Sequence, residues 1–282
     1  MRPARFLWAA IGSAVVFAAV YATLILTPLG QELENFALMG ARQEFAELRE
    51  SSLAELSEIS MMGFAVAIGL VMLVALLRRK PLLAFTTAAI MVVSVVIAEI
   101  AKQILIRPEL IDAPPRWLNN SFPSGHVTIA VAIGIGAVIV VPYALRPVAT
   151  LVGAVYAMSI GQAVEVAGWH RLSGAIGATF LVLAVASFGL YLLARSGRVQ
   201  PFTEPRRFGA LIVTVLLGGL AAVVGGVGLF FGIGRLLPIP VSPTESDLLL
   251  AYTATLLIGT AVIALAFLAF LWLIRPYRIG ER

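Results

Sequence analysis

The chain contains no cysteine and few charged residues, and each scarcity excludes a class of protein. Without cysteine it can form neither a disulfide, a thiolate-ligated zinc site nor a thiol nucleophile. Charged residues make up 12% of the sequence, about half the share found in ordinary soluble domains. Histidine and lysine are also rare, with two of each. Chemistry that needs an imidazole or an ammonium group must therefore use one of four side chains.

Long apolar runs dominate what is present. Hydrophobic residues account for 60% of the chain and the mean hydropathy is +0.99. Runs of about 20 apolar residues match the thickness of hydrocarbon that a helix must cross. The pattern predicts an all-α integral membrane protein with eight spans, at about 6–28, 60–77, 82–106, 126–143, 147–168, 174–194, 208–232 and 250–274.

The basic residues indicate the orientation of the spans. With the N-terminus in the cytoplasm, thirteen basic residues fall at inner positions and six at outer ones, as the positive-inside rule requires. Both termini are then cytoplasmic. The net charge of +5 reflects these short loops, so nucleic-acid binding is not expected. The first apolar stretch is too long for a signal peptide, so we expect a retained span. Arginine far outnumbers lysine, which suggests a GC-rich bacterial genome. The plasma (inner) membrane is then the expected location.

The spans divide the chain into a core and an appended hairpin. We predict a six-span core over 1–195, a cytoplasmic linker over 196–207, and a two-span hairpin with a cytoplasmic tail over 208–282. The first outer loop, 29–59, is acidic and carries apolar residues at helical spacing, which predicts amphipathic helices. These helices either rest on the membrane with a solvated acidic face or form a lid over a substrate entrance.

The two histidines are predicted to lie at one depth on the outer side. His126 opens the fourth span and His170 closes the fifth. The turn Pro123-Ser124-Gly125 precedes His126, and a helix that begins after such a turn offers unpaired N–H groups to an anion. Lys102, near the outer end of the third span, is an ionisable residue in a membrane segment and so a functional candidate. Glu99 lies three residues before it, at ion-pair spacing.

These residues together form a hypothetical phosphate site. A cradle of Lys102, Arg107 and the turn at 123–126 holds a phosphate. His170 attacks phosphorus, His126 protonates the departing alcohol, and water hydrolyses the phosphohistidine. The scheme requires no metal and no other cofactor.

The same residues resemble the motifs of the membrane-bound type 2 phosphatidic acid phosphatase (lipid phosphate phosphatase) superfamily. The first block corresponds to Lys102 through Arg107-Pro108, the second to Phe122 through His126, and the third to Gly168 through Gly174. The resemblance implies a six-span fold over 1–195, with the blocks at the outer ends of spans three, four and five. It also implies that His170 is the nucleophile, that His126 is the acid, and that the phosphate contacts Lys102, Arg107, Ser124 and Gly125.

The chain departs from the family pattern at three places. Four residues instead of six separate Lys102 from Arg107, so the usual register falls on Glu109. Val164 stands where the family has an arginine, and Gly174 stands where it has the aspartate that orients the nucleophilic histidine.

Neighbouring residues are candidates to compensate for these losses. Arg171 is the candidate to replace the missing arginine, and we predict that it binds the phosphate. Glu165 and Asp112 are the candidates for the missing carboxylate.

Three functions are compatible with these motifs and their departures. The first is an extracytoplasmic phosphatase acting on a lipid phosphate or diphosphate, with a polyprenyl or glycerolipid tail. The second is a catalytically impaired relative that binds lipid phosphate or supports a membrane partner without turnover. The third is a transporter, although the sequence has few of the charged midplane residues and broken helices expected of one.

Overall fold

Helices form most of the chain. The computed structural model describes residues 3–44, 46–57, 60–112, 120–202, 208–237 and 242–280. Its helices are α1 (Ala4–Val20, continued by a π-helical turn, Tyr21–Ile25), α2 (Pro28–Glu44), α3 (Ala46–Ser57), α4 (Met61–Leu77), α5 (Pro81–Ile104), α6 (Gly125–Val140), α7 (Arg146–Val166), α8 (Leu172–Arg195), α9 (Phe208–Leu236) and α10 (Glu245–Ile274). A 3-10 turn, Tyr143–Leu145, leads into α7. Two short strands, β1 (Val199–Pro201) and β2 (Tyr277–Ile279), complete it.

Among the described residues, six helical segments are long and apolar enough to cross a membrane. They are Ala4–Ile25, Pro81–Ile104, Tyr143–Val166, Leu172–Arg195, Phe208–Gly232 and Glu245–Ile274. The expectation of a helical, multi-pass membrane protein is thereby confirmed. The two remaining predicted spans fall on the shorter apolar helices Met61–Leu77 and Gly125–Val140. Because these two are shorter than a full crossing, the count of eight spans stays a prediction.

The centre of the bundle is built from α6 and α8, whose residues are mostly buried. Small residues bring the central helices close together. A Cβ at Gly134 of α6 would lie 3.1 Å from the Cα of Gly153 on α7 and would also overlap the ring of Phe267 on α10. Close backbone approach of this kind is the usual way in which membrane helices pack, because lipid provides no hydrophobic drive for their association.

One end of the bundle gathers the sequence motifs. At this end, which we call the histidine end, α5 and α7 finish while α6 and α8 begin. The amide N–H of Ser124 donates to the carbonyl of Gly174 over 3.0 Å, which joins the start of α6 to the start of α8. The ring of Phe122 packs against Phe17 and Tyr21 of the first helix, with ring centroids 4.9 and 5.6 Å away.

The opposite end is closed by a small antiparallel sheet. β1 pairs with β2 so that Val199 is opposite Ile279. Arg146 adds to this closure because its guanidinium donates to the carbonyls of Ile274 and Tyr277. The linker predicted over 196–207 therefore contains a strand, which its short and mixed sequence did not indicate. The rest of that linker, 203–207, lies outside the described residues.

The loop predicted over 29–59 consists largely of helices α2 and α3. Residues 45, 58 and 59 lie outside the described part of the chain. Helix α2 packs tightly on α10, since a Cβ on Gly40 would overlap the carbonyl oxygen of Leu248. Three polar residues of α2, Gln31, Glu34 and Asn35, are buried. This side of the loop is therefore packed against protein and is not a solvated face.

The close contact between α2 and α10 generates the first prediction. Gly40→Ala should push α2 away from α10, because the clashing atom belongs to the backbone and has no rotamer to change. Overpacking of this kind costs about 1–3 kcal/mol, which thermal unfolding in detergent would detect as a lower Tm. Gly219→Ala is the matched control, because a Cβ at Gly219 meets nothing within 4 Å. Equal Tm values for the two variants would contradict the close packing.

Candidate functional site

The two histidines converge at the histidine end. The ring centroids of His126 and His170 are 6.4 Å apart. His126 lies in the first turn of α6, and His170 lies in the short connection between α7 and α8. Trp169 flanks the pair, with its ring centroid 5.5 Å from that of His126. Both imidazoles are thus close enough to contact one small group.

The turn before α6 caps that helix. Ser124 is fully buried, and its side-chain oxygen accepts from the N–H of Val127 over 3.4 Å. Its hydroxyl oxygen is therefore an N-cap, in the usual geometry for serine. The O–H proton can still donate to a phosphate, so the contact that the family resemblance implied stays a prediction. The next two amides, of Gly125 and His126, have no carbonyl partner inside the helix because of their position. Those two amides and the Ser124 O–H are the groups of this turn that can donate to an anion.

Lys102 lies directly over the start of α6. Its ammonium contacts the Glu99 carboxylate at 2.6 Å, the ion pair expected from their spacing. A Cβ on Gly125 would lie 2.8 Å from the Lys102 Nζ atom, so glycine permits this close approach. The Glu99 carboxylate lies at the same place, with its Oε1 atom 3.1 Å from that Cβ position. The ammonium and the positive end of the α6 dipole therefore share one location with a carboxylate that partly neutralises them.

The hydrogen bonding of His170 determines its tautomer. Its Nδ1 atom lies 3.0 Å from the carbonyl oxygen of Ser121. A carbonyl oxygen can only accept, so Nδ1 carries the proton and Nε2 keeps its lone pair. The partner of Nδ1 is thus a backbone carbonyl, where the family resemblance led us to expect a carboxylate.

The protonation of His170 follows from its surroundings. Burial lowers the pKa of His170 to about 4, although the hydrogen bond to Ser121 acts in the opposite direction. The positive charges of Lys102, His126 and Arg171 lower this pKa further. The imidazole is therefore neutral at physiological pH, which is the form that attacks an electrophile.

Arg107 and Arg171 are held by helix α2. Arg107 donates from Nη1 to the Glu34 carboxylate over 3.0 Å, and both side chains are almost fully buried, at 3% and 2% exposure. Arg171 contacts Asn35 Oδ1 through Nε and Nη2 at 3.3 and 3.1 Å. Burial, followed by the charge of Arg107, lowers the pKa of Arg171 to about 10, so it remains cationic at neutral pH.

The two candidate carboxylates differ in their placement. Glu165 is buried and is hydrogen-bonded to the side chain of Thr255 on α10. It lines a cavity of about 10 Å³ together with His170 and Glu34. Asp112 is exposed in the loop after α5. We had expected one of these carboxylates to orient His170 through Nδ1. Because Nδ1 is hydrogen-bonded to the Ser121 carbonyl instead, neither carboxylate makes that contact.

Val164 and Gly174, which stand where the family has an arginine and an aspartate, both lie beside the segment that carries His170. Val164 is fully buried, and its carbonyl accepts from the N–H groups of Trp169 and His170 at 3.0 and 3.2 Å. A Cβ at Gly174 would lie 3.6 Å from Nδ1 of His170 and 3.5 Å from the Ser121 carbonyl oxygen. The Gly174 position therefore faces the orienting side of the His170 imidazole.

Sequence reasoning missed the polar residues on α2 that hold the site. Gln31 donates from Nε2 to the carbonyl oxygens of Ile25 and Pro108, at 2.8 and 2.7 Å. Glu34 and Asn35 hold the two arginines. The available signal was their spacing, since positions 31, 34 and 35 share one face of a helix.

Comparison with known proteins adds no further assignment. No protein-family model, curated protein or solved structure matches the chain. The resemblance drawn from its motifs therefore stays a hypothesis and is considered below on the geometry alone.

The lowered pKa of His170 generates the second prediction. The unfolded chain takes up a proton on this residue near pH 6.5 and the folded protein near pH 4. Acidification through that window therefore favours unfolding, and stability should fall by on the order of 3 kcal/mol. Unfolding in detergent at several pH values measures the effect, which His170→Gln should flatten.

Histidine NMR checks the same prediction directly. Because the chain has two histidines, His126→Gln leaves one signal and assigns it to His170. A His170 that titrates near pH 6.5 would contradict the proposed environment.

Proposed function

We propose that the chain is a membrane phosphatase that hydrolyses a lipid phosphate or diphosphate through a phosphohistidine at His170. The convergence of His126, His170 and Lys102 carries this proposal. It supplies a neutral nucleophile, a second imidazole and an ammonium group beside a helix N-terminus. The distribution of basic residues in the sequence supports an extracytoplasmic position for this end, with both termini in the cytoplasm of a plasma (inner) membrane.

The first step forms the covalent intermediate. The Nε2 lone pair of His170 attacks phosphorus while the Nδ1 proton stays on the imidazole, hydrogen-bonded to the Ser121 carbonyl. The bond from phosphorus to the leaving oxygen breaks. His126, whose protonated form is favoured by the negative charge of the bound phosphate, gives its proton to that oxygen. Lys102 and the amides of Gly125 and His126 stabilise the charge on the phosphoryl oxygens.

The second step regenerates the protein. Neutral His126 takes a proton from water as the water oxygen attacks phosphorus. The bond between phosphorus and Nε2 breaks, and inorganic phosphate leaves. His170 returns to its neutral form and His126 to its protonated form, so the protons balance over the cycle. His170 alone forms and breaks a covalent bond to phosphorus.

The surroundings of Gly174 also support the resemblance to lipid phosphatases. The family aspartate would start from this position, and a Cβ there would lie 3.6 Å from Nδ1 of His170. The Ser121 carbonyl provides the same hydrogen bond but carries no full negative charge. It therefore fixes the tautomer while stabilising a cationic imidazole less than a carboxylate would.

Phosphate release from a detergent-dispersed lipid phosphate tests the proposal. The wild type should release phosphate equally with and without a chelator. His170→Gln should lose about a thousandfold or more in kcat, and His126→Gln about a hundredfold or more. Glu109→Gln, an exposed substitution in the neighbouring loop, is the matched control and should keep the wild-type rate. Equal rates for His170→Gln and the wild type would refute the proposal.

A lipid-phosphate-binding protein without turnover is the second candidate function. The observation that favours it is the carbonyl, instead of a carboxylate, against Nδ1 of His170. In that case the wild type binds lipid phosphate but releases none, whereas Gly174→Asp, which adds the missing carboxylate, produces turnover. A wild type that is already active excludes this candidate.

An apolar groove supports a lipid as the substrate. It has a volume of about 890 Å³ and runs between α1, α8 and α10, with Val16, Ile176 and Phe180 among its lining residues. Ile176 lies about one helical turn from the start of α8, close to the histidine end. A lipid tail that follows α8 would therefore enter this groove.

The groove leads to a further prediction, which concerns the lipid tail. Gly12→Phe places a ring in it, because a Cβ at Gly12 meets nothing within 4 Å and Gly12 lines the groove. Displacing two methylenes of a bound tail costs about 1.6 kcal/mol, so KM for a long-chain lipid phosphate should rise about tenfold. A short-chain phosphate ester should keep its KM. Gly69→Phe, equally unobstructed but on α4, is the control, and an identical shift there would contradict the assignment.

A further inference from the structure

Helix α2 turns three polar side chains into the protein at the histidine end. Gln31, Glu34 and Asn35 are buried, and their spacing puts them on one face of the helix. Burial of a carboxylate and two amides is costly unless each finds partners. The partners are the loop after α5 and the start of α8, which carry two of the three sequence motifs.

The carboxylate of Glu34 bridges these two segments. Its Oε2 atom accepts from Nη1 of Arg107 at 3.0 Å. Its Oε1 atom accepts from the amide N–H of Ser173 at 2.8 Å, in the first turn of α8, where the helix dipole also favours a negative charge. Each carboxylate oxygen thus holds one motif-bearing segment.

Arg107 uses only part of its hydrogen-bonding capacity in this contact. Its Nε and Nη2 atoms are buried and have no hydrogen-bond partner among the described residues. These two N–H groups point in parallel along one edge of the guanidinium plane, the edge that binds two oxygens of one carboxylate or phosphate. A buried donor without a partner costs about 1–3 kcal/mol, so this edge favours binding of an anion.

The local charges agree with that preference. Arg107 and Arg171 lie close enough that the charge of Arg107 lowers the pKa of Arg171. Both cations therefore attract an anion on the Nε–Nη2 edge of Arg107.

We propose that Glu34 is a positioning residue, which fixes Arg107 so that its Nε–Nη2 edge receives two oxygens of the bound phosphate. The inference rests on the proposed function in one respect, the identity of the anion as phosphate. A carboxylate that blocked the site in place of phosphate would be expected to occupy the two-donor edge itself. Glu34 instead accepts from the single donor Nη1 and leaves the Nε and Nη2 donors of that edge without a partner among the described residues.

Binding of inorganic phosphate, measured by calorimetry on the full chain in detergent, tests the inference without turnover. Glu34→Gln keeps the shape of the side chain but turns one carboxylate oxygen into an amide group. It should weaken binding about tenfold, the effect of losing roughly one charged hydrogen bond. Glu32→Gln, on the same helix but outside the buried face, is the matched control and should bind as the wild type does. Unchanged or tighter binding by Glu34→Gln overturns the inference, and tighter binding identifies a blocking carboxylate.

Arg107→Lys separates positioning from a merely structural role. Lysine retains a charge to pair with Glu34 but has no two-donor edge, so binding should fall about tenfold in a folded protein. Adding Glu34→Gln to Arg107→Lys should then cause little further loss of phosphate binding. Both changes act on the same contact, the one between the two-donor edge of Arg107 and the phosphate. Losses that multiply would show that Glu34 does not act through Arg107.

The outcomes also separate this inference from the phosphatase proposal. A wild type that binds phosphate but releases none from lipid phosphate refutes turnover and leaves the test of Glu34 intact. A wild type that binds no phosphate overturns the inference. In an active protein, Glu34→Gln should raise KM with a smaller change in kcat, since it acts on binding and not on the histidines.

Discussion

The carboxylate of Glu34 is the contact on which the histidine end depends. It neutralises one of two neighbouring arginines in surroundings that exclude water, and it holds the start of α8 through the Ser173 amide. Without it, the buried charge of Arg107 would lose its carboxylate partner, a costly arrangement where screening is weak.

The membrane-spanning helices of the bundle were predictable from the sequence, because contact with lipid requires apolar side chains. Every predicted span falls on an apolar helix, because a membrane segment must satisfy its backbone internally and expose apolar side chains. The inward polar face of α2 was not predictable in the same way. A solvated acidic face and a buried polar face have the same spacing in sequence, and only the partners distinguish them. For Gln31 and Glu34 those partners include Pro108 and Arg107, more than 70 residues along the chain.

The candidate site was predictable where it depends on helix ends. His126 and His170 flank predicted spans at ends that lie on one side, so their convergence follows from topology. The pairing of Lys102 with Glu99 follows from a spacing of three residues. The partner of His170 Nδ1 did not follow, because a backbone carbonyl such as that of Ser121 has no residue-type signal. The binding mode of Arg107 did not follow either, since it depends on the distant Glu34.

The small sheet at the opposite end has a consequence for how the protein is assembled. Strand β1 precedes α9 and strand β2 follows α10, so their pairing closes α9 and α10 into a loop anchored at both of its ends. Because a chain emerges from the ribosome in sequence order, this closure cannot form until both helices have been synthesised. The last helical pair therefore docks onto a core whose earlier helices are already present, and the strand pairing secures it after insertion.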